Sequence, residues 1–233
     1  MKILLVNDDG INAPGLQALR RVLCLDHEVS IVAPATDQSG RGTAITTNTE
    51  VKVTPSIYLY PRPTQAWTVE GTPIDCVHYA LAKGSLILKP DLVISGINNG
   101  HNLGEYTRYS GTYNAAKEAF DHGIPAISCS LQYAGNEDQV QREHNYFNIA
   151  EFISDFIEFD YDKDLTHLNI NFPVQDEEYD LKRVFWVTLD AKPTTPNIQL
   201  IGGNFKRNHP IGKGPDARAL SDGHIAITRE FSY

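Results

Sequence analysis

The sequence predicts an α/β fold, with a mostly parallel sheet flanked by helices and a β-rich arm at the C-terminal end. Three observations carry this. Lys2 is followed by Ile3, Leu4, Leu5 and Val6, four consecutive apolar residues of which two are β-branched, the pattern of a strand buried on both faces of a parallel sheet. A helix-like stretch and a second strand-like run, HEVSIVAP, then complete a strand–helix–strand unit within residues 1–34, and such units are right-handed crossovers between parallel strands. The same alternation recurs as far as LNINFP, after which β-like runs dominate.

The first strand breaks at Asn7-Asp8-Asp9-Gly10. From Pro14 to Leu25, apolar residues at Leu16, Leu19, Val22 and Leu23 mark one helix face, and Pro14 suits its first turn. After HEVSIVAP comes ATDQSGRGTAITTNTEVKV, rich in Ser, Thr and Gly, and then two short β-like runs, VKVTP and SIYLY, lead to AWTVEGTP. Pro73 opens a helix through Leu81, PDLVISG is a strand, and SGTYNAAKEAFDHG is a helix ending at Gly123. IPAISCSL resumes the sheet. Ile149, Phe152, Ile153, Phe156 and Ile157 lie on one face of a long amphipathic helix, and THLNINFP is the next strand. Residues 1–173 thus make a Rossmann-like core. Residues 174–233, with VFWVTLD and HIAITRE as strands around a Pro- and Gly-containing connection, read as a β-rich arm of the same domain suited to oligomerisation.

A chain of 233 residues with 29 acidic and 20 basic side chains, a formal charge of −9, lacks the basic surface that a nucleic-acid duplex or an anionic membrane attracts. No apolar run approaches the ~18 residues of a membrane span, and the first strand breaks too early for a signal peptide. The expectation is a soluble, cytoplasmic protein. Cys24, Cys76 and Cys129 are far apart in apolar surroundings and read as reduced core thiols. Among eight histidines, only His101 stands in a Gly/Asn-rich loop, which makes it a candidate for a minor role at a site.

In a parallel sheet the loops after successive strands project from one edge, where ligands bind. Three of those loops carry unusual chemistry: Asp8-Asp9, then ATDQSGRG with Ser39, then GINNGHNLGEYTRYSGT. NDDG alone would serve as a turn. Two aspartates, a serine and an asparagine would also suit a hard divalent cation, which takes oxygen ligands, polarises a phosphoryl oxygen and lowers the pKa of a bound water. Ser110-Gly111-Thr112 opens a helix, where free N–H groups and the dipole favour an anion, although Ser before a helix is most often an N-cap.

With these residues laid out, the chain resembles the SurE family of survival-protein nucleotidases. The resemblance rests on NDDGI, VAP with its serine-glycine loop, EGTPIDCV, PDLVISGIN, NLG, YSGT, GIPAIS and LNINFP, in the family's order over the first 173 residues. It implies a metal-dependent phosphomonoesterase acting on nucleoside 5′- and 3′-monophosphates, in some members also on short polyphosphate. It implies one divalent cation per subunit, Mg²⁺, Mn²⁺ or similar, on Asp8, Asp9, Ser39 and Asn98. The substrate phosphate would lie against Ser110, Gly111 and Thr112, with Asn102 nearby. Family members form dimers that exchange C-terminal β-segments, and sometimes tetramers. The arginine-rich stretch that usually follows the LNIN strand is missing, since VFWVTLDAKPTTPN stands there.

The mechanism expected is in-line attack by a metal-activated water, with Asp8 or Asp9 as general base. Two rivals remain. A receiver-like signalling domain would need a phospho-accepting aspartate at a later strand end, whereas Asp91 stands at the start of PDLVISG. A non-catalytic nucleotide-binding module would be expected to show a glycine fingerprint, and neither G-x-G-x-x-G nor G-x-x-x-x-G-K-[ST] opens a helix here.

Overall fold

The computed structural model describes residues 1–59, 61–83, 85, 89–133, 135, 138–159, 166–175, 179, 184–187, 198–201, 204–207 and 214–231. Its strands are β1 (Lys2–Val6), β2 (Glu28–Pro34), β3 (Val53–Tyr58), β4 (Thr64–Val69), β5 (Leu92–Asn99), β6 (Ala126–Leu131), β7 (Thr166–Phe172), β8 (Val184–Trp186), β9 (Ile198–Ile201), β10 (Asn204–Arg207) and β11 (Ile225–Phe231). The helices are α1 (Pro14–Leu23), α2 (Pro73–Leu81), α3 (Gly111–Asp121), α4 (Gln139–Phe159) and α5 (Pro215–Ser221), with a 3₁₀ turn over Gly104–Tyr109.

Nine strands form one sheet in the order β3-β4-β2-β1-β5-β6-β7-β11-β8, and β4 through β7 all run parallel. Strand periodicity splits the core in two. Ile3 and Leu5 face α1 and α4 together with Leu16, Leu19, Ile149, Ile153 and Phe156, whereas Leu4 and Val6 face α2 and α3 with Val77, Ala115, Ala116 and Ala119. The result is three layers, helices on both faces of the sheet. From β1 the chain steps to β2 on one side and later to β5 on the other. That reversal opens a crevice at the carboxyl end of β1, the end that carries Asp8 and Asp9.

Several boundaries differ from the expectation for physical reasons. VKVTP and SIYLY form a single strand, β3, antiparallel to β4 at the sheet edge, where Pro55 costs no interior ladder bond. Tyr60 of SIYLY lies outside the described residues. PDLVISG ends neither at Gly96 nor at a turn; β5 runs on to Asn99, with a register shift against β6 between Ser95 and Asn98.

Two strands of the β-rich C-terminal segment join the main sheet. HIAITRE is β11, paired antiparallel with β7 inside the main sheet, and β8 from VFWVTLD pairs parallel with β11 at the outer edge. Residues 188–190 of that run lie outside the described residues. A short helix, α5, which the sequence reading did not anticipate, precedes β11. Among the described residues, only β9 and β10 pair apart from the main sheet, antiparallel to one another. Cys24, Cys76 and Cys129 are free and buried, as expected of core thiols.

Candidate active site at the carboxyl edge of the sheet

The acidic pair is held by neighbours from three directions. Asp8 is 3% exposed, and its backbone carbonyl accepts the N–H of Gln38 at 2.7 Å, which draws the loop after β2 onto the end of β1. Asp9 Oδ2 accepts the N–H of Asn99 at 3.2 Å, so β5 reaches it from the other side. The third approach is helix α3. Thr112, fully buried, donates its hydroxyl to Asp8 Oδ1 at 2.5 Å.

Gly111 is the residue that lets the helix come so near. A Cβ built there would stand 2.7 Å from Asp8 Cβ, 2.8 Å from Asp8 Oδ2 and 3.0 Å from Pro73 Cγ, closer than any side chain tolerates without movement. The positive end of α3 therefore abuts the carboxylate pair.

Two carboxyls enclosed in this way resist ionisation. Burial raises Asp8 above its ordinary value, opposed by the hydrogen bond from Thr112. Burial and then the charge of Asp8 push Asp9 up to about 7, with Asp37 adding to the repulsion and Arg142 opposing it. A bound cation would reverse that cost, because opposite charge favours the ionised form.

The other expected ligands sit one residue from these contacts. Ser39 follows Gln38; it is exposed, and both its N–H and its hydroxyl donate to Asp37 Oδ1 at 2.6 Å, which leaves its oxygen with lone pairs to offer. Asn98 precedes Asn99. Its Nδ2 donates to the Gly100 carbonyl at 2.7 Å, which leaves Oδ1 as the atom available to a cation. If these four side chains shared a cation, the donors would be two carboxylates, an amide oxygen and a hydroxyl, all hard oxygens, a set that suits a Mg²⁺- or Mn²⁺-type ion better than zinc.

Of the expected phosphate contacts, Ser110 caps α3, accepting the Tyr113 N–H at 2.9 Å. Its own hydroxyl proton remains available to donate. Asn102 is 7% exposed and pinned on every side: its N–H donates to Asn171 Oδ1, its Nδ2 to Ser130 Oγ, and its carbonyl accepts from Asn169 and Asn171. His101 is half-buried in the loop after β5.

Sequence reasoning missed Asp37, Arg142 and the Asn169/Asn171 pair. The last had a signal in LNIN, where polar residues alternate with Leu168 and Ile170 on a strand buried on both faces. Arg142 had none, because α4 is far from Asp9 in sequence. Together with Asp9, Asn99, Pro14, Gly15 and Tyr146 it lines a cleft of ≈ 420 Å³ beside the acidic pair.

Fold and site define a doubly wound α/β protein with a carboxylate pair at its switch point and a helix N-terminus against that pair. The chain belongs to the SurE family: the family model described as Survival protein SurE matches residues 3–193. It is 41% identical over 213 residues to 5′-nucleotidase SurE 2 of Chlamydia caviae, an alignment covering 88% of this chain and 73% of that protein. With 5′-nucleotidase SurE of Geotalea uraniireducens it shares 37% identity over 98% of this chain and 92% of the relative. The crystal structure of SurE protein from Aquifex aeolicus superposes with a TM-score of 0.73 at 28% identity, covering 99% of this chain and 93% of that one.

Proposed function

We propose that this chain is a metal-dependent phosphomonoesterase that hydrolyses nucleoside 5′- and 3′-monophosphates to nucleoside and phosphate, with short polyphosphate as a further substrate. The observation that carries the reading is the close approach of Gly111 to Asp8, which sets a helix N-terminus directly against a carboxylate that would help to hold a cation. Its relatives are named 5′-nucleotidases, and an anion-favouring helix end beside a divalent cation suits a phosphate ester. One divalent cation, Mg²⁺ or Mn²⁺, would be held by Asp8, Asp9, Ser39 and Asn98. When bound it supplies Lewis-acid polarisation of a phosphoryl oxygen and offsets the charge of the phosphate.

The chain's own groups do the rest. The N–H groups at the start of α3 and the hydroxyl of Ser110 receive the phosphate without a lysine. Thr112 acts one step back, since its hydroxyl already orients Asp8. Asn102 keeps the loop before the 3₁₀ turn in place through Asn169 and Asn171. Asp8 is closed in beneath Thr112 and Gly111, whereas Asp9 lines the cleft, so Asp9 is the carboxylate with access to the proton of an attacking water. The cleft between Pro14, Arg142 and Tyr146 falls within the ~300–1,000 Å³ of small-molecule sites and would take the nucleoside.

No helix among the described residues is long and apolar enough to cross a membrane, and three reduced thiols suit the cytoplasm. A homodimer is the assembly this reading includes, with a tetramer as its extension.

The test is release of inorganic phosphate from a panel of 5′- and 3′-nucleotides with and without Mn²⁺. Hydrolysis should require the metal, and Asp9→Asn should lose most of it while the protein stays folded. Ser110→Ala should lower kcat/KM by roughly ten- to hundred-fold, the worth of one hydrogen bond to a charged group, and leave Mn²⁺ affinity nearly unchanged. Nucleotide bound tightly but never turned over, with either metal, would mark a binding module and defeat the proposal.

A further inference from the structure

Parallel crossovers give α2 and α3 a common direction, so both begin at the carboxyl edge of the sheet and end at the other. Their far ends bring together side chains that the nucleotidase reading does not use. His78 lies in the last turn of α2, Glu118 in the last turn of α3, and His122 caps α3. Glu118 and His122 are four residues apart and stack along one helix face.

Both imidazoles converge on one carboxylate oxygen. His78 Nε2 is 2.8 Å from Glu118 Oε1, and His122 Nδ1 is 3.5 Å from the same atom. The rings stand edge to face with centroids 5.9 Å apart. One donor atom from each of the three side chains lies within 4.8 Å of the other two, the one such group of His, Cys, Asp and Glu among the described residues. A tetrahedral cation with bonds of about 2.0–2.1 Å separates its ligand atoms by about 3.3 Å, inside the span of 2.8 to 4.8 Å already present here. Small side-chain movements would therefore close the shell.

We propose that His78, Glu118 and His122 form a second cation site, for Zn²⁺ or a similar borderline divalent ion, that staples the end of α2 to the end of α3. Two imidazoles and one carboxylate favour such an ion over Mg²⁺, the opposite preference from the all-oxygen set around Asp8 and Asp9. Helix ends carry negative partial charge from their last carbonyls, which adds to the attraction. The side chains are 43%, 25% and 51% exposed, so the ion has an open entry and water completes the fourth position. His122 Nδ1 also lies 2.9 Å from the Glu118 carbonyl. With Nδ1–H donated there, the ring is held and Nε2 carries the lone pair; in the other tautomer Nδ1 itself faces the carboxylate.

The site stands apart from the acidic pair. From Gly111 to His122 the helix advances about 16 Å along its axis, so binding here need not touch the chemistry there. The experiment is calorimetric titration of the full chain with Zn²⁺, in wild type, His78→Asn/His122→Asn and Asp9→Asn. The double variant should lose one equivalent of Zn²⁺ that Asp9→Asn retains. Either single histidine variant should weaken that equivalent at least about tenfold, since even outer-shell changes cost 10- to 100-fold. Zn²⁺ should raise the melting temperature of Asp9→Asn, and adding the two histidine changes should abolish that rise. Mn²⁺-dependent phosphate release by the double variant should match wild type. Equal Zn²⁺ stoichiometry and affinity in wild type and double variant would overturn the proposal, as would a wild-type chain that binds no Zn²⁺ with these residues.

Discussion

Asp8 and Asp9 are adjacent carboxyls, each of which makes the other harder to ionise, and the consequence is a pH dependence of unusual sign. Burial and the neighbouring charge raise Asp9 from 3.8 to about 7 in the folded state, so the native chain binds its proton more tightly than the unfolded chain does. Between about pH 4 and pH 7 the unfolded state therefore gives up that proton first, and stability falls as pH rises. The full difference corresponds to roughly 4 kcal/mol. In chelator, the melting temperature should drop from pH 5 to pH 8, Asp9→Asn should flatten the drop, and saturating Mn²⁺ should restore what was lost. A metal-free melting temperature that rises with pH over this window would contradict the geometry. Gly111 makes a separate prediction. Alanine is the better helix former, yet its Cβ would press on Asp8 and Pro73. Gly111→Ala should then cost about 1–3 kcal/mol of stability and reduce Mn²⁺-dependent turnover at least about tenfold; unchanged kinetics would show that α3 can back away from Asp8 freely.

Elements were legible in the sequence wherever a local signal fixed both their type and their ends. Helix α2 begins at Pro73 and ends at Leu81, as Pro at the first turn predicted, and β1, β2, β6 and β7 match their apolar runs to within two residues. What local pattern does not carry is pairing between distant segments. HIAITRE was readable as a strand but not as the partner of β7, because nothing within seven residues encodes a neighbour in the sheet. Asp8, Asp9, Ser39 and Asn98 became candidates through the family resemblance of the loop motifs that carry them, while Arg142, brought in by α4, lies in no such motif. Asp75 shows an element stabilising the site at a distance. It closes a capping box with Thr72 and also accepts from the Thr46 N–H at 2.9 Å and its hydroxyl at 2.6 Å. Burial works against its ionisation, but these bonds outweigh it and hold the carboxyl below its ordinary value. That stability is present above about pH 4 and lost as pH falls further. Asp75→Ala should cost about 1–3 kcal/mol in denaturant unfolding. It should also raise KM more than it lowers kcat, because it frees the loop that leads from Ser39 to Thr46.

At the scale of the whole molecule, one piece of secondary structure among the described residues stands outside the main sheet. Strands β9 and β10 pair with each other and with no other strand among the described residues, and a lone hairpin is marginal in water unless a further surface covers it. The main sheet offers little room for it. Its outer edges are β8, three residues long, and β3, which carries Pro55, and both devices discourage strand addition. The proposed homodimer would supply that surface if a second copy of the chain exchanged this hairpin, a low-cost route to a symmetric pair. Sedimentation at micromolar concentration should then give twice the 25.9 kDa of one chain. Replacing residues 198–207 with a Gly/Ser linker should convert the dimer to a monomer. Because Asp8, Asp9, Ser39, Asn98 and Ser110–Thr112 all lie in the first half of the chain, the monomer should still release phosphate from nucleotides in Mn²⁺. A wild-type chain that sediments as a monomer would reject the exchange. A linker variant that stays dimeric would place the interface elsewhere and reject the hairpin's part in it.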